Sequence, residues 1–158
     1  MDSGLHRKTP YGPLTEVRRE SGGNRPGGSY RTILRADETG ALRLTVYTSN
    51  IYYQPYTVCV YRADEDALAQ LRAIIDRYGM TAWDDLPPDP DNVVLDGLTT
   101  DVTLVFGGDG ARKWETVRIY YESKLPEGAP GALRAFTDCL DQWATEERLL
   151  LRRSEARG

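Results

Sequence analysis

Residues 99–143 constrain the fold more than any other stretch. Thr100, Val102, Leu104 and Phe106 alternate with Asp101, Thr103 and Val105, the period of a strand with one buried face. Gly107-Gly108-Asp109-Gly110 follows, a run that accepts positive φ and lets the chain reverse. Trp114–Tyr121 reads as the returning strand. Pro126, Gly128, Pro130 and Gly131 then stop the pattern, and Leu133, Phe136, Leu140 and Trp143 recur at helical spacing. Such a segment builds a hairpin and lays a helix on it. It holds no catalytic or cofactor motif.

The upstream half repeats the same logic. Residues 1–13 carry Gly4, Pro10, Gly12 and Pro13 and read as a flexible leader. Leu14–Glu20 alternates weakly, with Leu14, Glu16 and Arg18 on one side and Thr15, Val17 and Arg19 on the other. Ser21–Gly28 is a turn-rich break and Ser29–Ala36 a strand, which together predict a wide hairpin whose first strand lies at a sheet edge. Leu42, Leu44 and Val46 alternate with Arg43, Thr45 and Tyr47, and Tyr56, Val58 and Val60 with Thr57, Cys59 and Tyr61. The period then changes. Asp64 is placed to cap a helix whose apolar stripe is Leu68, Leu71, Ile74, Ile75 and Tyr78, closed by Gly79. Met80 and Trp83 are expected to fold back onto the core, and Leu86–Gly97 is a Pro/Asp loop. The last helix is expected from about Ala132 to Glu147.

The order is four strands, a helix, two strands, a helix. This predicts an α+β fold: a mostly antiparallel sheet of about six strands with both helices packed on one face. A single domain is expected over 14–147, with 148–158 a helical extension or a flexible basic tail. Leu68, Leu71, Ile75, Val102, Leu104, Phe106, Leu133, Phe136 and Leu140 should share its core.

Four features in order resemble an uncharacterised group of bacterial domains, some carried on surface lipoproteins. They are the glycine-rich hairpin Ser21–Tyr30, the helix end Tyr78-Gly79-Met80-Thr81-Ala82-Trp83-Asp84, the strand entry Leu95-Asp96-Gly97-Leu98-Thr99-Thr100, and Leu125-Pro126-Glu127-Gly128. The likeness spans about residues 14–145 and rests on turn and packing residues. It implies a domain without assigned catalytic residues. The lipobox cysteine of such lipoproteins is absent.

Charge and composition exclude several classes of function. The net charge is −4, and the imbalance is concentrated in 63–111, with two basic residues against eleven acidic ones. Basic residues lie scattered towards the two ends, so no nucleic-acid partner is expected. No apolar run reaches membrane-spanning length, and Met1–His6 has no apolar signal core, so a cytoplasmic location is expected, with an exported form left open. Cys59 and Cys139 lack metal-ligand spacing and read as packed thiols. His6 is the sole histidine and lies in the leader, which leaves histidine-based catalysis without a partner. No cofactor is implied, because no glycine run both follows a buried strand and opens a helix.

Two surface features remain. Asp84, Asp85, Asp89, Asp91 and Asp96 fall close together and could supply a carboxylate pair or hard oxygen ligands for a metal. Tyr47, Tyr52, Tyr53, Tyr56 and Tyr61 cluster around one strand pair, and tyrosine suits recognition surfaces. If Leu42, Leu44 and Val46 face the core, Arg43, Thr45 and Tyr47 face away from the helices. The sequence therefore reads as a non-enzymatic binding domain. It would use Tyr47, Tyr52, Tyr53 and Tyr56 against a protein partner or its own copy. The alternative is a carboxylate- or metal-dependent hydrolase centred on Asp84–Asp96.

Overall fold

A computed structural model describes residues 12–21, 29–48, 56–91, 100–107 and 115–155. The strands are β1 (Leu14–Ser21), β2 (Ser29–Ala36), β3 (Leu42–Thr48), β4 (Tyr56–Arg62), β5 (Thr100–Phe106), β6 (Glu115–Tyr120) and β7 (Leu149–Glu155). All pair antiparallel in one sheet of order β6-β5-β1-β2-β3-β4-β7. Helix α1 (Ala67–Tyr78) joins β4 to a 3₁₀ turn at Met80–Trp83, and α2 (Ala129–Asp141) follows β6. The fold is thus α+β, with both helices contributing to one core against one sheet face.

Alternation in the strands decides which face that is. Val17, Leu34, Leu44, Val102, Leu104, Phe106, Val117 and Ile119 are fully buried beneath Leu71, Ile75, Leu133, Phe136 and Leu140 of the helices. Leu68 packs on the margin of this core and is only partly buried. Met80 and Trp83 do fold back into it, and Trp143 closes it beyond α2. Each such side chain contributes about 1.5–3 kcal/mol through removal from water. Gly79 ends α1 at φ 64°, and its N–H reaches the Asp76 carbonyl at 3.3 Å.

Four expectations are corrected. β1 is not an edge strand: it pairs with β2 on one border and β5 on the other, and a register shift between Leu14 and Glu16 turns Leu14 inward alongside Val17. Asp66, not Asp64, precedes α1, and its side chain makes no cap. Helix α2 starts at Ala129 and ends at Asp141, short of Glu147. Leu149–Glu155 forms neither a helical extension nor a basic tail. It is β7, a seventh strand beside β4, and the pairing shifts register between Val60 and Tyr61. That shift breaks the alternation of Leu149-Leu150-Leu151, so the three leucines resemble a continued helix.

One close approach requires glycine. Gly12 has φ 69°, and a Cβ there would lie 3.0 Å from the Gly107 Cα, while Gly107 N–H donates to the Pro13 carbonyl at 3.0 Å. The start of β1 and the end of β5 thereby meet without side chains between them.

Leu104 and Phe136, one from the sheet and one from α2, are both fully buried in the main core. Leu104→Ala or Phe136→Ala should lower the unfolding free energy by about 2–5 kcal/mol through transfer and cavity terms. Urea denaturation measures the loss, and a change below about 1 kcal/mol at both positions would contradict this core assignment.

Candidate functional site

The sheet face opposite the helices is set by cross-strand register. Directly paired positions form three rows across it. One runs Asp101, Glu20, Arg31, Tyr47, Val58 and Arg153. The next runs Thr103, Arg18, Ile33, Thr45, Val60 and Leu151. The third runs Val105, Glu16, Arg35, Arg43 and Arg62. Arg43, Thr45 and Tyr47 do lie on the side away from the helices.

This face is not uniformly open. Val58 is fully buried and Ile33 is 8% exposed, although neither belongs to the helix-side core. Tyr47 is half-buried, with the Arg31 guanidinium 5.4 Å from its ring centre. Tyr56 opens β4, but its side chain lies outside the described residues, as do Tyr52 and Tyr53. Tyr61 is on the other face and packs against the helix-side core. The structure therefore places Tyr47 on the face away from the helices, and the other side chains of the expected surface lie outside the described residues.

The third row is electrostatically unusual. Arg35 stands opposite Arg43, and Arg43 opposite Arg62. Like charges in directly opposed positions destabilise a sheet pair. Glu16 offsets part of this, pairing with both Arg18 and Arg35, the latter at 3.7 Å. Asp37 lies 3.4 Å from Arg43. The Thr39 hydroxyl and backbone N–H hold the Asp37 carboxyl below its ordinary pKa, so it stays ionised beside that arginine. Arg62 is exposed and makes no ion pair among the described residues. Its cross-strand neighbours were missed in the sequence because these arginines stand at 35, 43 and 62. The signal was present: each occupies the phase opposite to the core residues of its strand.

The acidic segment plays a different structural part. Arg118 N–H of β6 donates to the Asp84 carboxylate at 2.8 Å, and Asp85 N–H donates to the Arg118 carbonyl at 2.8 Å. Lys124 N–H reaches the Pro87 carbonyl, Asp89 N–H the Glu122 carbonyl, and Pro88 bridges Ser123. Residues 84–89 thus run along the outer edge of β6 and its continuation, satisfying groups that a bare edge would leave open. Asp85 adopts φ 48°, a conformation aspartate tolerates. Asp89 accepts the Asp91 N–H in a local turn. Asp96 lies outside the described residues. Among the described residues no three His, Cys, Asp or Glu side chains are grouped as a metal site requires.

A groove of about 560 Å³ lies between the β6–α2 connection and α2. Leu125, Ala129 and Leu133 line it, and the Tyr121 and Thr137 hydroxyls meet within it at 3.2 Å. Among the described members of the acidic set, Asp89 is on its walls and Asp84, Asp85 and Asp91 are not. The groove therefore does not join these carboxylates into a pair. Cys59 and Cys139 are free thiols, and burial raises the Cys139 pKa. His6 lies outside the described residues. No described helix is long and apolar enough to cross a membrane.

Comparison with known proteins adds no family: no protein-family model, curated protein or solved structure matches the chain. The resemblance to lipoprotein-borne domains thus rests on its turn and packing residues alone.

Two measurements test the electrostatics of the site. Asp84→Ala should cost about 0.5–1.5 kcal/mol, because the Arg118 N–H loses its acceptor; an unchanged denaturation midpoint would show that Asp84 does not secure the β6 edge. Asp101 carries a buried Oδ1 without a hydrogen bond, and burial, then Glu122 and Glu20, raise its pKa. The fold therefore favours its protonated form. The associated stability is present below the unfolded value near about pH 4 and is lost as pH rises through the elevated folded value. Asp101→Asn should be more stable than wild type at neutral pH, and the gap should close below about pH 4. Denaturation midpoints across that range check it, and a gap that does not change with pH would contradict it.

Proposed function

We propose that this chain is a non-enzymatic binding domain that docks a protein partner, or a second copy of itself, on the sheet face opposite the helices. The opposed arginines Arg35, Arg43 and Arg62 are the observation that carries the reading. Packing alone gives no reason to align three cations across neighbouring strands. A partner bringing negative charge to the row would relieve their repulsion. Tyr47 lies two rows away on the same face. The sequence between β3 and β4 adds Tyr52 and Tyr53, which extend the proposed surface as anchors.

The hydrolase reading has less support. Asp84 and Asp89 each engage a backbone N–H with a carboxylate oxygen, and Asp84 and Asp85 lie apart from the groove.

A photo-crosslinking amino acid in place of Thr45, on the sheet face, should trap one discrete partner in cells that naturally make the protein. The same group in place of the exposed Ala73 on α1 should not. Tyr52→Ala with Tyr53→Ala should reduce the Thr45 crosslink, as loss of about 2 kcal/mol at a hot spot would, with the thermal midpoint nearly unchanged. Equal crosslinking from both faces, or from neither, would overturn the reading.

A further inference from the structure

We infer that the partner presents an acidic amphipathic segment, with carboxylates on the Arg35–Arg43–Arg62 row and apolar side chains on the Val60–Leu151 row beside it. This rests on the sheet face being the binding surface and adds the chemistry of what binds.

Two neighbouring rows carry the argument. The first holds Arg35, Arg43 and Arg62 on three adjacent strands, so successive arginines stand roughly 4.8 Å apart. With Arg18 they make four cations, against the carboxylates of Glu16 and Asp37. Both carboxylates lie towards the β1–β3 side. At the β4 end, Arg62 is exposed and makes no ion pair among the described residues, so the uncompensated charge is concentrated there. The guanidinium fork suits carboxylates as well as phosphates, and Glu16 already shows the row accepting a carboxylate.

The second row lies two residues further along each strand, roughly 7 Å away. It contains Thr45, Val60 and Leu151, and Leu151 is 45% exposed. An exposed leucine directly beside a half-buried valine is a small apolar strip parallel to the cationic one. A nucleic-acid backbone would match the arginines but would leave that strip without a counterpart. A peptide segment with acidic side chains along one side and apolar ones along the other matches both rows. The acidic side fixes the position of the segment on the face, and the apolar side excludes water from the charge pairs. Complementarity of this kind also predicts salt-sensitive association.

Fluorescence anisotropy with the full chain tests the assignment. The probes are a labelled amphipathic peptide of leucine and glutamate, its glutamine counterpart, and an oligothymidylate. The glutamate peptide should bind saturably and weaken as salt rises. Its glutamine counterpart should bind roughly tenfold more weakly, as should the glutamate peptide to Arg62→Glu. Leu151→Ser should weaken it by a smaller factor, and circular dichroism should show both variants folded. If Arg62→Glu unfolds, Arg35→Gln with Arg62→Gln provides the same comparison without reversing charge. Equal binding of the two peptides, undiminished binding to the charge variants, or tighter binding of the oligothymidylate would each overturn the inference. So would a peptide signal that falls as the protein concentration is raised, because a second copy would then occupy the face. A specific Thr45 crosslink with no peptide binding would sink this inference and leave the docking face intact. Absence of both would remove the docking face as well.

Discussion

Both helices lie on the same side of the sheet, and the remaining structure follows from that placement. Strands β1, β2, β3 and β5 then present apolar side chains in that direction. Val17, Leu34, Leu44 and Leu104 do so and are fully buried against Leu71, Ile75, Phe136 and Leu140. The opposite phase is released from that demand and can carry charge. One polar intrusion on the helix side is fully partnered. Arg19 of β1 reaches both Asp141 carboxylate oxygens, at 2.9 and 3.0 Å, and also the buried Thr32 hydroxyl at 3.0 Å. It ties the centre of the sheet to the end of α2, where a lone buried guanidinium would otherwise be costly.

The two borders of the sheet are treated differently. At β6 the chain returns along the strand, and Asp84, Asp85 and Pro87 engage backbone groups there or just beyond it. This accounts for an acidic, proline-rich segment without invoking chemistry: aspartates accept N–H groups and prolines leave few donors that need satisfying. At β7 the strand instead carries Arg152 and Arg153, and Arg152 pairs with Glu146 at 2.8 Å. Charged side chains on an outer strand discourage indiscriminate edge pairing.

The strands that alternate cleanly were legible in the sequence, because burial on one face imposes a period of two on β3 and β5. The same rule misplaced β1 and missed β7, and both contain register shifts. An extra residue moves all later side chains to the other face, so the pattern loses its phase where the backbone is irregular. The position of β1 in the sheet was also beyond local reading, since its pairing with β5 depends on contacts about 85 residues apart in sequence. The facing of Tyr47 followed directly from the apolar phase of β3. The arginine row did not. Charge summed along the chain mixes the two faces of each strand, whereas the row exists only when three strands are set side by side. Segment sums described the acidic residues of 63–111 well but hid a cationic stripe built from residues outside it.

The partnership of β4 with β7 bears on how the molecule is made. Residues 56–62 leave the ribosome about 90 residues before the strand that covers their far edge, an interval of roughly 5–20 s at ordinary rates of synthesis. During that time β1 to β4 can form a meander, but Val58 and Val60 sit in a strand with one border unpaired. The nascent chain thus passes through a stage in which its own sheet could template a foreign strand. Arg62, at the end of that border and opposite Arg43, places a cation where such an intruder would align. Among the described residues the seven-strand sheet is completed only by β7, so native β4 protection against hydrogen exchange depends on a segment made after the other described strands and helices.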